Sequence, residues 1–256
     1  MIEFHHVTRS YSQKVAVSDL CLTVPPGEIF ALLGPNGAGK TTAIKMLVGL
    51  LHPDSGSIRV CGYDLATDLR RASRCLGYIP DEPFLYDKLS GREFLEFAAE
   101  MRGLDRRTVE SCIARESEHF DMKDYLDDLI ETYSHGMKQR LVFASAMLHQ
   151  PPVLVIDEPM VGLDPRCMRM VKDLLHAQAA HGLSVFMSTH ILAVAEEIAD
   201  RVCILHQGRT QYLGSVDHAQ KDSHPQTSLE SLFLHLTNGD NGRPLLILPQ
   251  KPETIE

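Results

Sequence analysis

Gly34-Pro35-Asn36-Gly37-Ala38-Gly39-Lys40-Thr41-Thr42 is a segment whose residue types and spacing could do chemistry. It fits G-x-x-x-x-G-K-[ST], a loop that wraps phosphates. Successive backbone N–H groups and the start of the following helix point at phosphate oxygens. Glycine at 34, 37 and 39 lets the main chain approach without a Cβ in the way. Lys40 places a positive charge on the β- and γ-phosphates, and the Thr41 hydroxyl can ligate Mg²⁺. Further along, the apolar run Val153-Leu154-Val155-Ile156 ends in two carboxylates, Asp157 and Glu158. Asp157 would hold Mg²⁺ through water. Glu158, facing the other way, can accept a proton from an attacking water. Two carboxylates after a buried strand are an expensive placement of charge. A third segment, Tyr133-Ser134-His135-Gly136-Met137-Lys138-Gln139-Arg140, offers Ser134 as a helix cap, and the helix start behind it as another anion site.

These residues need rigid elements to hold them. The continuous apolar run at 28–33 reads as a strand buried on both faces, leading directly into the glycine-rich loop. A helical pattern follows at 40–50. The opening, at 1–8 and 15–24, reads as short strands, ended by Pro25-Pro26-Gly27. Another strand is expected at 57–60. From about 83 to 149 the pattern is helical. Ser90 with Glu93 forms a capping-box pair. Phe94, Phe97, Ala98 and Met101 then follow at helical spacing, and Gly103 stops the helix. Val109, Ile113 and Phe120 continue the spacing, as do Leu126, Leu129 and Ile130. The block reads as a helical insertion between two halves of an α/β core.

Asp164-Pro165 starts another helix, with Met168, Val171, Leu174 and Leu175 on its buried face and Gly182 at its end. Strands at 184–188 and 202–205 and a helix at 191–199 complete the core, closed by the Gln207-Gly208 turn. Beyond about 215 the chain turns polar. A linker is expected at 217–228, a short helix docking back at 229–236, and a loose end at 238–256. Alternating strands and helices imply a mostly parallel sheet covered on both faces, with ligands beyond the carboxyl ends of its strands.

The chain has 256 residues and a net charge of −9, from 25 Lys+Arg against 34 Asp+Glu. That balance argues against non-specific nucleic-acid binding, which needs a basic field. Arg70, Arg71 and Arg74 are the nearest approach to a basic patch and read as a solvated helix face. The longest apolar runs fall well short of the roughly 20 residues of a membrane span. The opening MIEFHHVTRS lacks the features of a signal peptide. Six cysteines, at 21, 61, 75, 112, 167 and 203, stand without CxxC pairs. Their spacing suggests neither a zinc site nor a disulfide framework, and reduced thiols in a cytosolic protein are expected.

Taken together, the Gly34 loop, the Ser134 segment and the Asp157-Glu158 strand end, in this order, resemble the nucleotide-binding domain of an ABC transporter. The resemblance covers about residues 1–214, within a domain expected at 1–215. It implies a P-loop NTPase core with a mixed or parallel sheet, an N-terminal antiparallel β subdomain and an inserted helical subdomain, followed by a short tail at 216–256. It further implies ATP as substrate and Mg²⁺ as cofactor. Lys40, Glu158 and His190 would be catalytic, with Thr41, Asp157 and Asp81 near the metal. Gly34 to Thr42 would hold the phosphates. Tyr11 resembles the aromatic that stacks on adenine, the alternative being a tyrosine packed on the sheet. Gly162-Leu163-Asp164 resembles the D-loop, and His190 the switch histidine that contacts the γ-phosphate.

The resemblance implies a head-to-tail dimer, with Ser134 and Gly136 reaching the partner's ATP. The second nucleotide-binding domain could be a copy of this chain or a different one. Separate membrane permease subunits are expected, with this chain on the cytoplasmic face. The tail resembles that of single-domain ATPases serving multidrug-type or ABC-2-type exporters, which favours export. Two positions depart from the family pattern. Asp81 stands where glutamine is usual. His135 stands where glycine is usual, adding bulk beside the partner's γ-phosphate and positive charge when protonated. Slower or pH-sensitive dimer closure follows as an expectation. The rival readings are a soluble ABC ATPase acting on ribosomes or DNA, and a P-loop kinase or GTPase. The first usually carries two domains or a long coiled coil, and the second needs neither the Ser134 segment nor His190 in this order.

Overall fold

The computed structural model describes residues 1–158, 165–216 and 229–238. In chain order they form β1 (Ile2–Tyr11), β2 (Lys14–Val24), β3 (Ile29–Leu33), α1 (Lys40–Leu47), β4 (Ser55–Val60), β5 (Tyr63–Asp64), α2 (Leu69–Arg74) and β6 (Leu76–Ile79). Then come α3 (Gly91–Met101), α4 (Arg106–His119), a 3₁₀ turn (Ile130–Thr132), α5 (His135–Met147), β7 (Val153–Asp157) and α6 (Pro165–Ala180). The order ends with β8 (Ser184–Thr189), α7 (Leu192–Ile198), β9 (Arg201–His206), β10 (Arg209–Ser215) and α8 (Leu229–Asn238).

Two sheets carry the architecture. A six-stranded sheet runs β10-β9-β3-β8-β7-β6, and a four-stranded sheet runs β2-β1-β4-β5. In the larger sheet β9, β3, β8, β7 and β6 are parallel, and β10 pairs antiparallel with β9. The smaller sheet is antiparallel throughout. β3, β7 and β8 are buried at every position, as strands with both faces covered must be.

The alternation of side chains across β3 divides the core in two. Ile29, Ala31 and Leu33 face a cluster shared with Leu154, Ile156 and the helical block. Phe30 and Leu32 face the other cluster, shared with α1 and the four-stranded sheet. There Phe186 stacks on Phe30 at 5.5 Å and on Phe4 at 6.0 Å, joining the two sheets.

Between β6 and β7 the chain builds α3, α4 and α5. The Ser90–Glu93 capping box is present: Glu93 N–H donates to Ser90 Oγ, and Ser90 N–H to the Glu93 carboxylate. The helical spacing expected at Leu126, Leu129 and Ile130 is corrected by the structure. That stretch is turns and a 3₁₀ turn, with Leu126 and Ile130 buried and Leu129 exposed. Asp127 is drawn out to Arg92, and Arg92 N–H donates to Leu126 O, so bonds to the start of α3 replace a helical ladder.

The short elements β5, β6 and β10 escape a reading by periodicity, while Arg70, Arg71 and Arg74 stand exposed on α2, the solvated helix face expected of them. β10 is Arg-Thr-Gln-Tyr-Leu-Gly-Ser, with Tyr212 as its buried side chain, and forms by hairpin pairing with β9. The helix expected at 229–236 is present as α8. Leu229 is buried, and its N–H donates to Glu196 on α7. The expected D-loop, the Asp164 cap, the 217–228 linker and the end of the tail lie outside the described residues. No helix among the described residues is long and apolar enough to cross a membrane.

Candidate functional site

The carboxyl ends of β3, β7 and β8 lie side by side, because the parallel register pairs Leu33 with Thr189 and Asp157 with Ser188.

The loop after β3 is closed by tight backbone contacts. Ala38 N–H donates to Pro35 O at 3.1 Å, and Gly208 N–H donates to Ala38 O at 2.9 Å. Gly39, the residue before α1, has φ +111°, and a Cβ there would stand 2.2 Å from Ala16 O. Only glycine fits that position. Gly39 has no side chain to cap α1, so the helix start presents its N–H groups to a ligand. Lys40 folds back over the loop and donates to Gly34 O at 2.8 Å.

Glu158 is the hub. It has φ +52°, a left-handed conformation that costs a non-glycine residue roughly 1–3 kcal/mol and concentrates at functional sites. Its own N–H donates to Ser188 O and Ser188 Oγ, each at 3.2 Å. On one side its Oε1 lies 3.8 Å from Lys40 Nζ, and on the other its Oε2 lies 2.9 Å from His190 Nδ1. One carboxylate therefore touches the phosphate-loop lysine and the histidine after β8. Asp157, one residue earlier, is buried and accepts from Ser188 Oγ at 2.5 Å.

Burial pushes the Lys40 ammonium below its ordinary value, with Glu158 and Asp157 pulling it back up. Asp81 belongs to the same electrostatic cluster. Partial burial and the negative Asp157, Glu158 and Glu82 push its carboxyl up, while His190 works the other way. Burial, Asp157 and Asp81 push the Tyr78 phenol up to about 12.

The structure thus brings together Gly34, Pro35, Lys40, Asp157, Glu158 and His190, with Asp81 beside them. Thr41 stands exposed on the first turn of α1, next to Lys40. Ser134 caps α5, accepting from Met137 N–H at 3.3 Å. Ser134 and His135 are exposed there and hydrogen-bond to no member of the Lys40–Glu158 cluster. Tyr11 is exposed at the end of β1, with the Arg9 guanidinium 5.3 Å from its ring centre, so it is not packed into the sheet. Sequence reasoning missed Ser188 as the partner of Asp157, and Tyr78 as a neighbour of the cluster. The signal for Ser188 was a hydroxyl at the end of a strand expected to pair in parallel with the Asp157 strand.

A family model described as ABC transporter matches residues 17–161. The Nod factor export ATP-binding protein I of Burkholderia thailandensis is 38% identical over 208 residues, covering 81% of this chain and 68% of that protein. The ABC-type transporter ATP-binding protein EcsA of Bacillus subtilis is 34% identical over 243 residues, covering 94% and 98%. Among solved structures, an ATP-binding subunit of an ABC transporter superposes with a TM-score of 0.85 at 35% identity, covering 92% of this chain and 99% of that one. A dimeric ATP-binding cassette bound to ADP and Pi shares the fold, with a TM-score of 0.74 at 21% identity and coverage of 84% and 98%. With the phosphate loop, the paired carboxylates and the strand-end histidine in place, this chain belongs to the ABC transporter family, as an ATP-binding subunit that hydrolyses ATP.

Proposed function

We propose that this chain energises a membrane exporter by closing on ATP as a head-to-tail dimer and reopening after hydrolysis at Glu158. The observation that carries the reading is Glu158 held between Lys40 and His190 at the end of β7. The N–H groups of residues 34–42 and the Lys40 ammonium bind the β- and γ-phosphates. A Glu158 carboxylate oxygen takes the proton of the attacking water. His190 fixes that carboxylate from its second oxygen and reaches toward the γ-phosphate. Tyr11 stacks on adenine. Ser134 and Gly136 serve the ATP of the partner subunit, and the hydrogen bonds of Ser134 run to Met137 on its own helix.

Mg²⁺ fits the donors present. Thr41, Asp157 and Asp81 offer oxygen only, the set that suits a small hard cation. Asp157 is a buried carboxylate beside two other carboxylates, a place where a cation is favoured. When bound, Mg²⁺ would neutralise phosphate charge. The division read is residues 1–215 as the ATP-binding domain, with the helical part at about 83–149, and 216–256 as a tail.

The partner reading rests on a surface. Phe84 is 79% exposed and Met101 72%, and Phe84 and Phe97 both stack edge-on against Tyr86 at 5.3 and 5.6 Å. This apolar patch lies between the Asp81 loop and α3, where a helix of a membrane subunit on the cytoplasmic side would feel the state of the site. The likeness to a Nod factor export protein supports export. The test is to tag the chain in its own cells, solubilise membranes gently and identify what co-purifies. A stoichiometric protein with several membrane spans, lost in Phe84→Asp, is expected. Recovery with ribosomes or nucleic acid alone would favour the soluble alternative.

A further inference from the structure

Two bulges in the β1–β2 ribbon gather side chains that sequence spacing keeps apart. The register slips between Phe4 and Val7, so His5 and His6 oppose Cys21 alone. It slips again between Val7 and Arg9, where Thr8 opposes Ser18 and Asp19. The residue at each irregularity takes a left-handed backbone: His6 has φ +50° and Asp19 φ +53°. Bulges re-aim side chains, and strained non-glycine residues persist only where their surroundings hold them. Here β4 holds the first one, since a Cβ on Gly56 would lie 2.3 Å from His6 O. Thr8 holds the second, its Oγ1 accepting from Asp19 N–H at 3.0 Å.

The result is a convergent set. His6 Nδ1 lies 2.7 Å from Asp19 Oδ1 and 3.4 Å from Cys21 Sγ, and His6 N–H donates to Cys21 Sγ at 3.2 Å. One potential ligand atom from each side chain lies within 4.8 Å of the others. All three residues are exposed, so an ion can reach them.

We propose that His6, Asp19 and Cys21 form a surface site for a divalent transition-metal ion of the zinc class, its fourth position open to water or an outside ligand. Sulfur and imidazole nitrogen beside one carboxylate select such ions over Mg²⁺ and Ca²⁺, which take oxygen. Tetrahedral bonds of about 2.0–2.3 Å place neighbouring donor atoms about 3.3–3.8 Å apart. The His6–Cys21 separation of 3.4 Å already fits, and the His6–Asp19 separation of 2.7 Å must open by less than about 1 Å, within reach of two exposed side chains. Cysteine spacing alone points away from zinc, and the bulges supply what spacing does not. The site shares no residue with the ATP cluster and stands or falls independently of it.

Co²⁺ alone, titrated into the full chain under a phosphine reductant and without nucleotide, tests the site. A single saturable cobalt–thiolate charge-transfer band is expected, displaced by Zn²⁺ and absent in Cys21→Ser. His6→Asn and Asp19→Asn, which tolerate the left-handed backbone, should each weaken binding by about tenfold or more, the scale seen for even outer metal partners. ATP turnover should be unchanged in all three, showing that they fold. No saturable band, a band that survives Cys21→Ser, or a band indifferent to both asparagine variants would overturn the proposal.

Discussion

A buried polar group left without a partner is costly, and Ser188 Oγ donates to the buried Asp157 carboxylate at 2.5 Å. Ser188→Ala should therefore lower stability by about 1.5–3 kcal/mol, the range for hydrogen bonds to charged groups, and weaken Mg²⁺-dependent ATP binding more than Mg²⁺-free binding. Denaturant melts and nucleotide titrations with and without the metal check both parts. Lys40 makes the opposite trade. Its charge is disfavoured chiefly by burial, so its protonation penalty is present at neutral pH and is relieved only as pH rises toward the ordinary lysine value. Lys40→Met should abolish ATP binding, read by nucleotide titration. At this scale the phosphate loop, Asp157 and Glu158 were legible as candidates, because their chemistry is local to a strand end and its loop, and His190 through the family resemblance. Ser188 and Tyr78 were not, because their roles depend on which strands are neighbours.

Elements add costs that can be separated from chemistry. Ser134 caps α5 through Met137 N–H. Ser134→Ala should cost about 1 kcal/mol of stability as a lost cap. Any fall in ATP turnover beyond that belongs to its role toward the partner's ATP, and thermal melts beside turnover assays divide the two. His149, just past α5, is tied to the start of β6 by Nε2–H donating to Leu76 O at 3.1 Å. Burial, with the Arg102 guanidinium nearby, pushes its imidazole from 6.5 down to about 4. The unfolded chain therefore takes up this proton first. Stability from His149 is complete above about pH 6.5 and falls as pH drops toward 4, by about 2 kcal/mol after allowance for partial exposure. His149→Gln should flatten that part of the pH–stability curve. Long amphipathic helices and fully apolar strands were readable from periodicity. β10 and the turns at Leu126–Ile130 were not, since hairpin pairing and side-chain bonds decide them.

For the whole molecule the proposed cycle places residues of one chain on the ATP of another. His135 then stands beside a partner's phosphate, and His135→Gly should change the pH profile of ATP turnover. Identical profiles would remove any role for the histidine in closure. The two-sheet architecture was legible only through family resemblance, since no local pattern specifies that β1 pairs with β4 or that Phe4 stacks on Phe186. The most direct test of the hydrolytic site is ATP binding, turnover and size-exclusion of Glu158→Gln beside the native chain. The expected result is ATP binding retained, turnover down by about 100-fold or more, and a dimer that persists with ATP. Undiminished turnover would contradict Glu158 as the proton acceptor. A monomer under saturating ATP would contradict the closed dimer.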